Sequence, residues 1–335
     1  MKVLVTGSQG YIGVHLVDVL KRAGHEVTGC DLGLFHGCEW EPFTQPNRML
    51  HKDVRALELE DVSGHDCVMH LAAISNDPMG DLDPELTYSI NRDASIRLAE
   101  ITKQARTSRF LFSSSCSVYG KGHKPDLDES DPVQPLTAYA KSKIETEQQI
   151  AHLADQTFSP VYLRNATAYG HSPMLRIDLV ANNLLACALA TGRIDILSDG
   201  TPWRPLVHCR DIARAFVAFM ESPKDLIHNH PVNVGHNQEN YQVRQIADEV
   251  QRLLPDAEIT YTGEATDDPR SYRVNFNLLY ELIPSFTIEY PLARGMKQLH
   301  NKMLTHGFTE SDFSGDQFIR LRTLTKRLDR LEIAA

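Results

Sequence analysis

The sequence predicts an α/β protein, a doubly wound parallel sheet followed by a smaller, mixed α/β part. Three observations carry this. Short apolar β-rich runs alternate with amphipathic helical stretches through the first half. The first run passes directly into a glycine-rich turn that opens a helix. After about residue 170 the alternation gives way to a looser mixture. The domains are therefore read as 1–170 and 171–335, with a boundary the chain can recross.

The expected strands, in order, are KVLVT (2–6), HEVTGCD (25–31), RMLHKDV (48–54), DCVMHLAA (66–73), RFLFSSS (109–115) and PVYLRNA (160–166). Their near-continuous apolar character suits a sheet covered on both faces. The helical patterns between them cover 11–24, 86–105 and 138–155. Beyond residue 170 a helix over 177–191 leads through a turn, SDGTPWRP, to a helix over 211–221. The strand-like PVNVG, the helical QVRQIADEVQRLL, DAEITYTG and the polar DDPRSYRVN follow, and the tail over 300–328 reads as helical.

Gly7, Gly10 and Gly13 in TGSQGYIG form G-x-x-G-x-x-G between the first strand and its helix. Such a loop needs a tight turn, a backbone near enough to offer amides to a pyrophosphate, and close helix–sheet packing. Strand before, helix after and an acidic residue further on make this a Rossmann dinucleotide site. That acidic residue is Asp31, ending the second strand; a carboxylate there accepts from ribose hydroxyls and repels a ribose phosphate, which predicts NAD rather than NADP. Asp53 in HKDVR is a candidate for the adenine amino group.

The formal charge of −10 over 335 residues argues against nucleic acid or an anionic membrane as partner, so single arginines become informative. The six cysteines are scattered without C-x-x-C or zinc spacing, and the fifteen histidines are dispersed, so no metal site is expected. Reduced thiols, a start directly on KVLVT and no membrane-length apolar run give a cytoplasmic expectation.

In AYAKSK, Tyr139 and Lys143 stand four residues apart and share a helix face. With TGSQGYIG, Asp31, DVR (53–55), HLAA (70–73) and SSSCSVYG (113–120), in this order, the chain resembles the extended short-chain dehydrogenases/reductases, in the NAD-dependent nucleotide-sugar epimerase/dehydratase family. UDP-glucose 4-epimerases are that family's familiar branch. The resemblance implies Tyr139 as acid/base, Lys143 lowering its pKa and binding the nicotinamide ribose, and Ser115 bonding the reacting hydroxyl. A free phenol, with a pKa near ~10, serves poorly at neutral pH unless a cation stabilises its anion. Further cofactor contacts are implied for Tyr11, Ile12, Val54, Leu71, Ala72, Ala73 and Asn91, and a homodimer is implied.

Relatives that eliminate water carry Asp-Glu after the serine; here Cys116 and Ser117 stand there, which favours hydride chemistry without elimination. Cys116 is open to two readings, a substrate-side acid/base or a buried inert thiol. Arg204 in WRPLVH and Arg270 in DDPRSYR match arginines that hold the nucleotide diphosphate, with Arg273 competing for the second role. Asn182 or Asn183 supports the nucleotide. Thr167 stands where epimerases carry a substrate asparagine, with Asn165 two residues earlier on the same strand face. The SND insertion (75–77) and the basic FIRLRTLTKRL (318–328) also depart from the branch. The expected function is nucleotide-sugar 4-epimerisation through a transient 4-keto sugar. The alternatives are a 4-reductase or dehydrogenase of the same fold and, more distantly, an NAD-sensing protein without catalysis.

Overall fold

In the computed structural model, which describes residues 1–75, 77–261 and 271–327, the apolar runs of the first half pair into one sheet. The strands are β1 (Lys2–Thr6), β2 (Glu26–Cys30), β3 (Arg48–Leu50), β4 (Cys67–His70), β5 (Arg109–Ser115) and β6 (Ser159–Asn165). Then come β7 (Thr167–Tyr169), β8 (Arg193–Ile196), β9 (Trp203–His208), β10 (Pro231–Val234), β11 (Asn240–Gln242) and β12 (Glu258–Tyr261). Seven of them form a sheet of order β10-β6-β5-β4-β1-β2-β3, parallel at every pairing. The winding reverses between β1 and β4, and in such sheets the crevice beyond the carboxyl ends at the reversal is where ligands bind.

Period-two alternation divides the strand residues between two cores. Val3, Val5, Met69, Leu111 and Val161 join the helices Gly13–Arg22 and Cys209–Glu221 on one face. Leu4, Val68, Phe110, Phe112 and Tyr162 join Leu98 and Ile101 of the helix Ala94–Gln104 on the other. A third core fills the later part: Leu184, Leu185, Ile194, Leu206, Ile246, Met296 and Phe318. There β9 pairs with β7 and β11, and β12 pairs with β8.

Several elements differ from the sequence reading. The third strand stops at Leu50, because Asp53 accepts from the Arg55 amide and turns the chain into a 3-10 helix, Val54–Ala56. The helix expected over 86–105 is a short α turn, Pro84–Tyr88, a π turn, Ser89–Asp93, and the α-helix from Ala94. The strand expected over 160–166 ends at Asn165, and β7 leaves for a different sheet. β10 returns to the first sheet beside β6, so that sheet is not confined to residues 1–170. The tail is broken at Gly307, which has φ +73° and caps the helix Leu292–His306. The helices Glu310–Ser314 and Arg320–Thr325 follow.

One buried ion pair joins these parts. Glu147, on the helix Ala138–Ala151, accepts from Arg164 of β6 (Nη2–Oε2 2.7 Å) and from the Ser114 hydroxyl of β5 (2.5 Å). Arg164 Nη1 also donates to the Tyr119 hydroxyl, which donates to Asn233 Oδ1 of β10. Removing one partner strands a buried charge at a cost of about 3–5 kcal/mol. Arg164→Met should therefore lower the unfolding free energy by about that amount, read from chemical denaturation. The double change with Glu147→Leu should recover most of the loss.

Candidate active site

The crevice at the sheet reversal begins with the glycine loop. Gly7 has φ +70°, and a Cβ there would lie 2.7 Å from the Ala72 nitrogen of the segment after β4. A Cβ on Gly13 would come within 2.0 Å of the Gly7 oxygen. The glycines thus let two loops and a helix start converge. That helix start has no side-chain cap, which leaves its amide end suited to an anion. Asp31 closes the turn, its oxygens accepting from the Gln9 amide (3.0 Å) and the Gly33 amide (2.9 Å).

A cavity of about 750 Å³ opens here. It is lined by Gly7, Gly10, Tyr11, Ile12, Gly13, Asp31, Asp53, Val54, Leu71, Ala72 and Ala73, and continues to Ser115, Tyr139, Lys143, Thr167, Asn183 and Arg204. Most of the expected residues are therefore brought together around one space. Asn91, Cys116 and Asn182 stand behind its wall. Asn91 sits in the π turn and holds both backbone groups of Ile74 (2.8 and 2.9 Å), fixing the segment after β4. The Cys116 thiol donates to the Arg164 carbonyl (3.1 Å), and burial pushes its pKa well up. Asn182 braces the Arg176 carbonyl (2.7 Å) and the Gly170 amide (2.8 Å), so Asn183 is the asparagine that faces the cavity. Arg270 lies outside the described residues. Arg273 pairs with Asp126 at 3.0 Å.

Thr137 caps the helix that carries Tyr139, accepting from the Ala140 amide, and its own hydroxyl donates to Asp77. Tyr139 therefore lies in the first turn and Lys143 one turn on. Lys143 Nζ donates to the Ser113 carbonyl (2.8 Å) and sits 4.7 Å from the centre of the Phe112 ring. Burial lowers its pKa to about 7, against the opposing charge of Glu147. Burial raises the Tyr139 pKa, while a hydrogen bond with Ser115 and the charge of Arg176 pull it down. Ser115 itself accepts from the Ser117 amide at 3.1 Å.

Sequence reasoning missed Ser75, Arg176 and Asp178 in this wall, along with the β8 end (Asp195–Ser198) and Arg320 and Leu324 of the tail. Arg176 carried the signal already used for Arg204, a lone arginine in an apolar run (PMLRIDLV). Arg320 donates to the Met174 and Leu175 carbonyls (3.1 and 3.3 Å) and stacks over Phe35 at 4.8 Å. The tail thus forms the wall beside Leu32, Leu34 and Phe35. Among the described residues, no group of three or more histidines, cysteines or carboxylates could hold a metal, and no helix is long and apolar enough to cross a membrane.

Comparison with known proteins matches residues 3–235 to the model of the NAD dependent epimerase/dehydratase family. A UDP-glucose 4-epimerase of Neisseria meningitidis serogroup C is 30% identical over 264 residues, covering 70% of this chain and 77% of the relative. UDP-glucuronic acid decarboxylase 1 of Xenopus tropicalis is 26% identical over 320 residues, covering 91% and 73%. Among solved structures, MoeE5 in complex with UDP-glucuronic acid and NAD superposes with a TM-score of 0.79 at 25% identity, over 91% of this chain and 99% of that one.

The 2.0 Å approach at Gly13 gives a direct test. Forcing a methyl into such packing costs about 1–3 kcal/mol. Gly13→Ala should weaken dinucleotide affinity by roughly tenfold or more, read by titration calorimetry.

Proposed function

From the membership of this chain in the NAD-dependent epimerase/dehydratase family, we propose that it inverts carbon 4 of a nucleotide-diphosphate sugar through a transient 4-keto intermediate. NAD is the cofactor, and the residues present fit it. The glycine cradle would close on any Cβ, Asp31 stands at the end of β2, and Leu71, Ala72 and Ala73 complete the wall. When bound, NAD supplies a two-electron acceptor that takes up and returns hydride.

The chain's own residues do the rest. Tyr139 oxygen takes the proton of the carbon-4 hydroxyl and gives it back, while the Ser115 hydroxyl orients that group. Lys143 adds positive charge one turn along the helix. Arg204, and Arg270 as its second, grip the diphosphate, so that the keto sugar can turn about its phosphate bonds without leaving. Two buried polar atoms in the cavity wall, Ser117 Oγ and Asn165 Oδ1, have no hydrogen-bond partner among the described residues, and a polyhydroxylated ligand would satisfy both.

The observation that carries epimerisation over elimination is the fate of residue 116. Water loss needs a proton donor at the sugar, and Cys116 instead turns its thiol into the core with its pKa raised by burial. The tail wall of Arg320 and Leu324 further suits an enzyme that keeps its cofactor between cycles.

Mass spectrometry of nucleotides released from the denatured protein should find NAD, and turnover of UDP-sugars should proceed without accumulating NADH. Stoichiometric NADH or an unsaturated sugar product would overturn the reading. Tyr139→Phe should retain NAD and lose about 10²–10⁴-fold in kcat.

A further inference from the structure

The basic tail, one of the departures from the family pattern, brings a buried charge to the glycine-loop end of the cavity. Arg320 opens the helix Arg320–Thr325 and is only 2% exposed, yet it lines the cavity. Its Nη2 donates to the carbonyls of Met174 (3.1 Å) and Leu175 (3.3 Å), and its Nη1 to that of Gln317 (3.0 Å). Its guanidinium lies 4.8 Å from the centre of the Phe35 ring. Met174 and Phe35 in turn belong to the apolar cluster around Val14, in the first turn of the helix that follows the glycine loop. Gly10, Asp31, Phe35 and Met174 also share the lining of a small hollow beside that loop. The tail therefore sets a guanidinium next to the helix start that has no side-chain cap.

Carbonyls satisfy the donors of a guanidinium but not its charge, and a buried charge is costly unless an opposite one meets it. Burial pulls the Arg320 pKa down to about 10, which still leaves it protonated at neutral pH. Other cations of the cavity wall have their counter-charge within the protein. Lys52 is held by Asp61 at 2.8 Å. Arg176 is held fork to fork by Asp178, with Nε–Oδ1 and Nη2–Oδ2 both at 2.9 Å, and its Nη1 donates to the Ser75 hydroxyl at 2.9 Å. Among the described residues no carboxylate forms an ion pair with Arg320; Asp178, whose charge reaches it, is the one Arg176 already occupies. A neutral donor would tie the tail to the same carbonyls without the cost of burying a charge.

We propose that Arg320 is a ligand of the bound dinucleotide, its guanidinium meeting the pyrophosphate that the glycine-loop amides also receive. The anion then has backbone dipoles on one side and a full charge from the tail on the other. A nucleotide sugar carries the same diphosphate chemistry, so the two sources must be told apart. Arg320 is bonded to Met174 and stacked on Phe35, at the glycine-loop end, whereas Arg204, the arginine matched to the substrate diphosphate, stands on β9. This role depends on NAD as the cofactor and not on which sugar reaction follows.

The test is equilibrium dialysis of the full-length protein against labelled NAD, with ADP-ribose as competitor and UDP measured in parallel. Arg320→Gln, which can still donate to a carbonyl, and Arg320→Met, which cannot, both remove the charge, so each carries the test where the other fails to fold. Either should raise the Kd of NAD and of ADP-ribose by the same factor, about tenfold to a hundredfold, the range of a charge-assisted hydrogen bond. The Kd of UDP should stay at the parent value. Arg320→Lys, which keeps the charge, should lose less than the neutral variants. An unchanged affinity for NAD, or a loss as large in Arg320→Lys, overturns the inference. So does a loss shared by UDP, which marks a general structural role or a grip on the substrate diphosphate. No product is analysed in these measurements, so they stand or fall separately from the epimerase reading.

Discussion

The arrangement depends on a charge that has been taken out of water and fully bonded. Glu147 lies under the sheet's carboxyl edge with every contact supplied by a different element: Arg164 from β6, Ser114 from β5, and through Arg164 the Tyr119 turn and Asn233 of β10. An ion pair in that position costs more to desolvate than apolar residues would, and what it yields is geometry. Ser114 precedes Ser115, and Glu147 follows Lys143 by one helical turn. The bonds that satisfy the buried carboxylate therefore also fix where the serine and lysine stand relative to Tyr139.

Charge in the cavity is arranged locally on an acidic chain. Asp31 is consumed by two loop amides and shapes the glycine-loop end of the cavity. Arg204 and Arg176 are held by neighbours before any ligand arrives, the first by the Trp203 carbonyl at 2.9 Å, the second by Asp178 and Ser75. Groups fixed in this way need little reorganisation when charge develops, which is where electrostatic catalysis is most effective. Lys143 is the exception: it gives one hydrogen bond to a carbonyl and bears a desolvation penalty, so its charge depends on what binds beside it.

Much of this was legible in the sequence because it follows local rules. Near-continuous apolar runs located the strands, glycine spacing located the turn between β1 and its helix, and a threonine ahead of AYAKSK is an ordinary helix cap. What escaped is non-local. A π turn at Ser89–Asp93 adds a residue to one helical turn and aims Asn91 at Ile74, and nothing in SINRD announces that. β6 and β7 are separated only by Ala166, yet they belong to different sheets, a choice made by β9 far along the chain. Arg176 and Ser75 are 101 positions apart and meet only because the strand crossings place the segments after β4 and β7 side by side. Asn182 and Asn183 were separable only once their helix was rotated into place.

The tail wall has a consequence for how the molecule is made. The glycine loop, β2 and Asp31 leave the ribosome early, although Tyr11 of that loop is bonded to Gly170, Ser172 and Asn182 much further along. The surface that covers Phe35 and Leu34, by contrast, is translated with Arg320, Leu324 and Arg327, whose Nη1 donates to the Leu34 carbonyl. A chain that has not yet reached these residues therefore lacks the wall beside Leu34 and Phe35. That side of the cavity can be completed only once the tail has been made, so the order of the chain separates it in time from the glycine loop at the opposite end of the sequence.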